Sequence, residues 1–161
     1  MNKELQTVAD RLQKNIDEVP AQFLRFPEGE LNRKPAPNKW SKKEILGHLI
    51  DSAANNHQRF IRSQYWESMA SPENEPFTIF PYEQDHWVNI QKYNEVDSKY
   101  LVELWRLYNQ HIHWIISNYP EEKLTIKCVS VDGRETAENI FLLIKDYVDH
   151  MDHHLGQIFN N

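Results

Sequence analysis

Cysteine, glycine and long apolar runs are scarce in this sequence, and each shortage excludes a class of protein. The one cysteine, Cys128, has no partner for an internal disulfide bond. No apolar run approaches the length that spans a bilayer, and the N-terminus has no apolar stretch of the signal-peptide type, so we expect a cytoplasmic protein without a membrane partner. Basic residues form no run, and 24 acidic against 18 basic side chains give a net charge of −6. Such a surface repels a polyphosphate backbone, so nucleic acid is not an expected partner.

Helical periodicity is the main structural signal. Apolar residues recur at three- and four-residue steps in four separate stretches, and only four glycines are present, which predicts an all-α fold. The predicted helices cover residues 3–24, 41–68, 97–118 and 136–159. The second helix is predicted to begin at Ser41, which forms a capping-box pattern with Glu44. A chain of 161 residues is the size of one domain, so we expect residues 1–161 to form a single domain.

Two connections between these helices are less regular. Residues 70–95 form a connection that is long for a compact domain, which favours a lid or a side wall, with a short helix near Gln84 to Tyr93. Aromatic residues in this connection could supply an apolar wall for a ligand or could equally pack on the bundle, and they include Phe77, Phe80, Tyr82 and Trp87. The segment from Thr125 to Val131 is rich in β-branched residues and closes on Asp132-Gly133, which predicts an extended or hairpin segment.

Three histidines stand where they could share a metal ion. His150 and His154 are four residues apart, so in a helix their imidazoles lie on one face, one above the other. At about 100° per residue they follow one flank of the apolar stripe, whereas His153 points to the opposite side. His48 lies on the flank of the stripe in the second helix. If the two flanks face each other, the three imidazoles meet, and a divalent ion held by them keeps open positions, as in a catalytic site.

Ordinary roles compete with this metal site. A histidine beside an apolar stripe is more often a packed side chain with a hydrogen bond, and exposed pairs at this spacing arise by chance. The other histidines are expected on outer helix faces (His57 and His113), in the long connection (His86) or on a flank whose role is left open (His111). Groups that could orient the imidazoles are Ser52, Asn55 and Tyr147. On the helical wheel, Asp146, Asp149 and Asp152 face outward, which predicts a solvated surface. Cys128 has no evident basic neighbour that would make its thiol reactive.

Two motifs carry a resemblance to a known family. The first runs from Trp40-Ser41 through His48-Leu49-Ile50-Asp51-Ser52 to Asn55, Arg59 and Phe60, and the second is His150-x-x-His153-His154-x-x-Gln157. With these motifs the chain resembles the DinB-like superfamily, and within it the YfiT-like metal-dependent hydrolases and thiol S-transferases. The resemblance implies a four-helix bundle with a long crossover connection. It also implies zinc or nickel bound at the positions of His48, His150 and His154.

The resemblance implies a metal-dependent enzyme that transfers a small thiol, such as bacillithiol, mycothiol or glutathione, to an electrophilic substrate through a metal-bound thiolate. Hydrolysis by metal-bound water is the alternative, as is a non-catalytic protein that binds a metal or a small molecule. A structural bundle that forms a homodimer is also left open. A metalloprotease is disfavoured because Met151 follows His150, where the helix motif of those enzymes has Glu. A metal-bound thiolate needs no general base, and none is visible, so transfer is favoured over hydrolysis.

Overall fold

The structure is a computed structural model that describes residues 2–69, 75–133 and 137–160. Long helices alternate in it with short helices and two short strands. In chain order the elements are α1 (Lys3–Phe23), α2 (Glu28–Leu31), α3 (Lys42–Gln64), α4 (Trp66–Met69), β1 (Phe77–Ile79), α5 (Gln84–Gln91), α6 (Ser98–Ser117), β2 (Cys128–Ser130) and α7 (Ile140–Phe159). Short 3₁₀ turns lie at Tyr93–Glu95 and Glu121–Lys123. Within the described ranges, no helix has both the length and the apolarity needed to cross a membrane.

The long helices α1, α3, α6 and α7 form a four-helix bundle. In their principal contacts α1 packs against α6 and α7, and α3 packs against the same two helices. Two pairs of consecutive long helices, α1 with α3 and α6 with α7, therefore lie on the diagonals, whereas α3 and α6 are neighbours. Each predicted stripe faces inward, as α1 shows with the buried residues Leu5, Val8, Leu12, Ile16, Val19 and Phe23. The expected all-α bundle is confirmed.

The second predicted helix ends earlier than expected. It was expected over residues 41–68, but α3 ends at Gln64 and a separate turn, α4, follows. At this end the backbone N–H of Tyr65 bonds the carbonyl of Arg62, three residues back, at 3.3 Å. The side chains of Ser63 and Gln64 donate to the carbonyls of Arg59 (2.7 Å) and Phe60 (3.0 Å). Side-chain bonds of this kind compete with the helical ladder, which is why α3 stops here.

The segment before the last helix also differs from the prediction. The helix was expected from Thr136, which lies outside the described residues, but α7 begins at Ile140, where the side chain of Asn139 accepts from the N–H of Leu142 at 3.0 Å. Asn139 itself is extended, and an isolated antiparallel bridge joins it to Lys127.

The strand near Thr125 to Val131 exists, but it does not form a hairpin ladder. Its residues Cys128–Ser130 pair in parallel with Phe77–Ile79 of the long connection. The turn was placed correctly, because Gly133 has a φ of +69° and its N–H bonds the carbonyl of Ser130. Parallel strands need a distant partner, which local sequence patterns do not reveal.

The start of α3 and the long connection are joined at one place. The capping box forms as predicted, because Ser41 Oγ accepts from the N–H of Glu44 and the Glu44 carboxylate accepts from the N–H of Ser41. Three residues further on, the ring of Tyr93 lies so close to Gly47 that a Cβ there would be 2.1 Å from a ring carbon. The Tyr93 hydroxyl then donates to Asp51 at 2.6 Å. Gly47 is therefore needed for the close approach of the connection to α3.

We predict that Gly47→Ala destabilises the protein by about 1–3 kcal/mol, because the new methyl group displaces the Tyr93 ring and its hydrogen bond to Asp51. Urea unfolding of metal-free protein measures this free energy. Gly156→Ala is the matched control, since its Cβ would meet only Asn160 at 3.7 Å. That change should stabilise α7 by about 0.5–1 kcal/mol. Equal effects of the two substitutions would contradict the proposed role of Gly47.

Candidate metal centre

The packing of α3 on α7 brings the three predicted histidines together. His48 is fully buried on α3, and His150 and His154 are half-buried on α7. Nε2 of His48 lies 3.1 Å from Nε2 of His150. The ring centroids are 5.0 Å apart for His48 and His150, 4.8 Å for His48 and His154, and 4.5 Å for the α7 pair. One nitrogen from each ring lies within 4.8 Å of the other two, so this cluster, called the histidine triad below, could hold a metal ion.

The triad is neutral at physiological pH. Burial, followed by the proximity of the other two histidines, lowers the pKa of His48 to about 3. Burial and the neighbouring His154 lower the pKa of His150 to about 4, and burial also lowers the pKa of His154. Only neutral imidazole has a lone pair for a metal, so the three rings are held in the form that ligates.

The spacing of the triad suits a divalent metal ion. Two nitrogens at about 2.0–2.1 Å from one zinc ion are separated by roughly 3.3–3.4 Å at the tetrahedral angle and by roughly 2.9 Å at a right angle. The 3.1 Å between His48 and His150 lies between these values. Imidazole suits zinc, nickel and copper, and three such ligands leave positions open. The donor set therefore fits a divalent metal.

Gln157 orients one imidazole of the triad. Its Oε1 lies 2.9 Å from Nδ1 of His154, and an amide oxygen only accepts, so Nδ1 carries the proton and Nε2 keeps its lone pair. The Gln157 amide nitrogen lies 3.0 Å from Nε2 of His153. His153 itself is exposed and is not part of the triad, but its ring packs edge-on against His154 at 5.2 Å between centroids, so it does not point to the opposite side as the wheel predicted. The sequence analysis named Gln157 only as part of a motif. Its spacing of three residues from His154 is the signal from which this contact could have been predicted.

The groups predicted to orient the imidazoles serve other residues instead. The Tyr147 hydroxyl donates to Asn109, and the Asn55 amide donates to the backbone carbonyl of Asp51. The side-chain amide of Asn56 donates to the backbone carbonyl of Ser52 at 2.9 Å. Within the described part of the chain these bonds do not reach a histidine, so the structure does not support that prediction. These polar side chains form hydrogen bonds inside the bundle. A helical wheel cannot distinguish such residues from residues that orient a metal-binding histidine.

A large cavity opens beside the triad. It has a volume of about 690 Å³ and reaches His154 and Gln157 on α7. Trp40 forms part of its wall, and the indole also stacks at a tilt over His48 at 4.8 Å between centroids. Much of the lining comes from residues 30–42, which in the sequence marked only a break between helices. The prolines of this segment predicted the break, but they did not predict that the segment lies beside α3 and α7 and lines a cavity there.

A second, smaller cavity lies on the other side of the triad. Its volume is about 170 Å³, and its lining includes His150, Arg59, Tyr82 and Asp146. Tyr82 belongs to the long connection, so this connection forms a side wall, as expected. The position of Asp146 corrects the wheel, because its carboxylate was expected to face only solvent.

The other two acidic residues of α7 are also engaged. Asp149 and Asp152 both accept hydrogen bonds from Arg11 on α1, at 2.8 Å in the case of Asp149. The amide of Asn15 donates to Asp152 at 2.6 Å. These carboxylates therefore fasten α7 to α1 instead of forming a solvated face, and the partner on α1 lies too far away in the sequence to be predicted.

The aromatic residues of the connection have different roles from one another. Phe77 is buried and packs edge-on against Trp66 at 5.3 Å, so it is a core residue and not a wall. Phe80 is exposed, and Trp87 packs against Tyr82 at 5.1 Å. Of the four that were considered, Tyr82 lines a described cavity. Both roles that the sequence left open therefore occur, because Tyr82 lines a cavity and Phe77 packs in the core.

A buried carboxyl group lies three residues after His48. Asp51 Oδ1 accepts from the Tyr93 hydroxyl and from the Gln91 amide, both at 2.6 Å. Its Oδ2 is buried and has no hydrogen-bond partner among the described residues. Burial raises the pKa of Asp51 despite these two donors. Asp51 thus anchors α5 and the turn after it to α3, directly behind the triad.

The remaining histidines and the cysteine lie outside this cluster. His86 is exposed, as expected. His57 is half-buried and lies 3.3 Å from the Tyr108 hydroxyl, so it contacts α6 and does not face only solvent. His111, which was left open, is exposed and packs edge-on against His57. Burial raises the pKa of Cys128 to about 12, which agrees with an unreactive thiol.

The comparison with known families decides the relationship. A sequence profile described as the DinB superfamily matches residues 5–158, nearly the whole chain. The chain belongs to the DinB superfamily. The resemblance drawn from the two motifs is therefore confirmed. Among curated proteins, no sequence matches the chain significantly.

A solved structure has the same fold as this DinB-superfamily bundle. It is YfiT from Bacillus subtilis, described as a probable metal-dependent hydrolase with an unusual four-helix bundle topology. The TM-score is 0.79 and the sequence identity is 19%, and the match covers 98% of this chain and 86% of YfiT. At this identity the similarity establishes the fold, and the expected four-helix bundle is confirmed.

We predict that the protein binds one divalent ion per chain through the histidine triad. Alanine in place of His48, His150 or His154 should remove the ion, whereas His153→Ala should keep it. Gln157→Ala should weaken affinity by about 10–100-fold, because His154 then loses its orienting hydrogen bond. Metal content is measured after purification without a metal-affinity column. Loss of the ion in His153→Ala together with retention in His150→Ala would contradict this assignment.

We also predict that metal-free protein loses stability as the pH falls from about 6.5 to 5. In the unfolded chain a histidine binds a proton below about pH 6.5, whereas folded His48 and His150 stay neutral until about pH 3 and 4. The unfolded state therefore binds more protons, and each residue costs roughly 2 kcal/mol of stability at pH 5. Urea unfolding at pH 7 and pH 5 measures the loss.

In that experiment His48→Gln should lose about 2 kcal/mol less than the unaltered protein between pH 7 and pH 5. His153→Gln is the control, because it changes an exposed histidine of α7 that does not belong to the triad. This variant should behave like the unaltered protein. An identical pH dependence in all three proteins would show that the triad is not buried in its neutral form.

Proposed function

We propose that the protein is a metal-dependent enzyme that transfers a low-molecular-weight thiol to an electrophilic substrate. His48, His150 and His154 would hold the divalent cation, zinc or nickel. The observation that carries the proposal is the convergence of three neutral imidazoles at the edge of a cavity of about 690 Å³. That volume lies within the roughly 300–1,000 Å³ typical of small-molecule sites.

The chemistry of such a site follows from its charge. A divalent ion held by neutral ligands keeps its full charge and lowers the pKa of a thiol or water that binds it. The chain itself supplies the surroundings. Trp40 covers His48 and shields that side of the triad from water, while the large cavity gives a small molecule access to His154. Transfer would form a carbon–sulfur bond as the leaving group departs with its electron pair, and the thiol proton passes to solvent.

The state of the nearby carboxylates supports transfer over hydrolysis. A thiol needs no general base once it is ionised, whereas attack by water usually does. Oδ1 of Asp51 is occupied by Tyr93 and Gln91, and Asp149 is bonded by Arg11 and Lys145. These carboxylates are therefore committed to holding the bundle together.

Hydrolysis is the second candidate because of Asp146. This residue lines the small cavity together with His150, one helical turn further along α7. A carboxylate in that position could accept a proton from an attacking water. YfiT, which shares the fold, is described as a probable metal-dependent hydrolase. Asp146→Asn separates the two candidates, since it should abolish ester or amide hydrolysis and leave thiol transfer unchanged.

The partners proposed for this site are a small thiol and a small electrophile. The net charge of −6 argues against nucleic acid, and we propose no membrane partner either. Binding of a metal or small molecule without turnover is the remaining alternative for the same site, and a homodimer is compatible with each of these functions.

We predict that the metal-loaded protein accelerates conjugation of at least one thiol, among bacillithiol, glutathione, cysteine and coenzyme A, to a bimane or chloronitrobenzene electrophile. A chelator should reduce the rate to the uncatalysed value, because the thiol then keeps its ordinary pKa. His150→Ala should do the same, and His153→Ala is the matched control that should retain activity. Absorbance or fluorescence of the conjugate measures the rate.

Two results of this assay would change the proposal. No acceleration with any of these thiols, in protein that carries a full complement of metal, would favour the binding function without turnover. Hydrolysis of a test ester that is lost in Asp146→Asn, without any conjugation, would establish the hydrolase instead.

A further inference from the structure

The charges around the large cavity differ from those of the rest of the chain. Its lining includes three cationic and two acidic side chains, namely Arg33, Lys39, Lys42, Glu30 and Asp85. They leave one net positive charge at the cavity, although the whole chain carries −6. The cavity is thus a local positive region on an acidic protein, and it borders His154 of the triad.

Two of these five charges are engaged with the protein itself. Lys42 Nζ donates to the backbone carbonyl of Ile158 and lies 4.5 Å over the ring of Phe26. The Glu30 carboxylate lies 4.0 Å from the same Nζ. These contacts hold the start of α3 against the end of α7 and largely balance each other, so Lys42 and Glu30 contribute little to ligand binding.

The other three charges have no such partner. The side chains of Arg33, Lys39 and Asp85 are exposed and make no hydrogen bond or ion pair with the residues that the structure describes. Arg33 and Lys39 come from the segment between α2 and α3, and Asp85 comes from the first turn of α5. They therefore reach the cavity from two different parts of the chain.

We propose that this cavity selects a thiol that bears carboxylates together with an ammonium group, with Arg33 and Lys39 contacting the carboxylates and Asp85 the ammonium. This inference rests on the proposed function and names the class of its thiol. Two unpaired cations and one unpaired carboxylate are the complement of a ligand with two carboxylates and one ammonium. Ile45 and Trp40 offer apolar surface to the methylene groups between them, and His154 lies where the sulfur end would arrive.

The test uses S-methylglutathione, which carries these charged groups and whose methylated sulfur cannot be ionised or transferred. Binding to metal-loaded protein is measured by calorimetry for the unaltered chain and for the double variant Arg33→Gln, Lys39→Gln. The control Lys14→Gln, Lys99→Gln removes the same charge from exposed lysines that line neither cavity. Asp85→Asn and the diethyl ester of S-methylglutathione complete the set.

The double variant should weaken binding by about tenfold and the control by less than about twofold, because exposed charges act mainly at short range in physiological salt. Asp85→Asn should weaken binding by about threefold. The diethyl ester, which lacks both carboxylate charges, should bind weakly and equally to the unaltered protein, the double variant and the control. Because no reaction occurs, this result stands even if no thiol is ever conjugated.

Three results would overturn the proposal. These are an unchanged dissociation constant in the double variant, equal weakening in the control, and no binding of S-methylglutathione up to about 10 mM. Tighter binding by Asp85→Asn would overturn the ammonium contact. If binding follows the proposal but no thiol is conjugated, the proposed function fails and the selectivity of the cavity is retained.

Discussion

The packing of α3 on α7 removes His48 from water, and the properties of the site depend on this desolvation. A buried imidazole resists protonation, and two neighbouring imidazoles increase the cost of a second charge. Burying three polar rings without a charge partner weakens the bundle unless something favourable binds them. A cation would provide that compensation. The packing of α3 on α7 therefore builds a cluster that lowers the stability of the metal-free bundle and can bind a cation. Such a trade-off between stability and binding is common at functional sites.

The long connection is held in place from the same helix that carries the triad. Gly47 lets the Tyr93 ring lie against α3, and Asp51, one turn later, receives the hydroxyl. His48 lies between these two positions in the sequence. One turn of α3 therefore carries both His48 and the residues that hold the connection, so a shift of the connection would change the surroundings of His48.

Periodicity in the sequence was enough to predict the bundle and the triad. The stripes of α1, α3, α6 and α7 identify the inward faces, and the flank positions of His48, His150 and His154 follow from the same wheel. Contacts between distant segments were beyond this reasoning. The pairing of β1 with β2, the attachment of Asp149 and Asp152 to Arg11, and the cavity formed by residues 30–42 all depend on tertiary placement. A wheel orders residues around one helix, and it does not show which neighbour meets them.

The burial of Cys128 has a consequence for the proposed reaction with electrophiles. Its thiol is enclosed beside β1, and burial raises its pKa to about 12, so the thiolate is rare at neutral pH. Reactive carbon compounds attack thiolates, so the sulfur of the chain itself offers them almost no target. In the proposed transfer, the reacting sulfur would therefore come from the small thiol and not from Cys128.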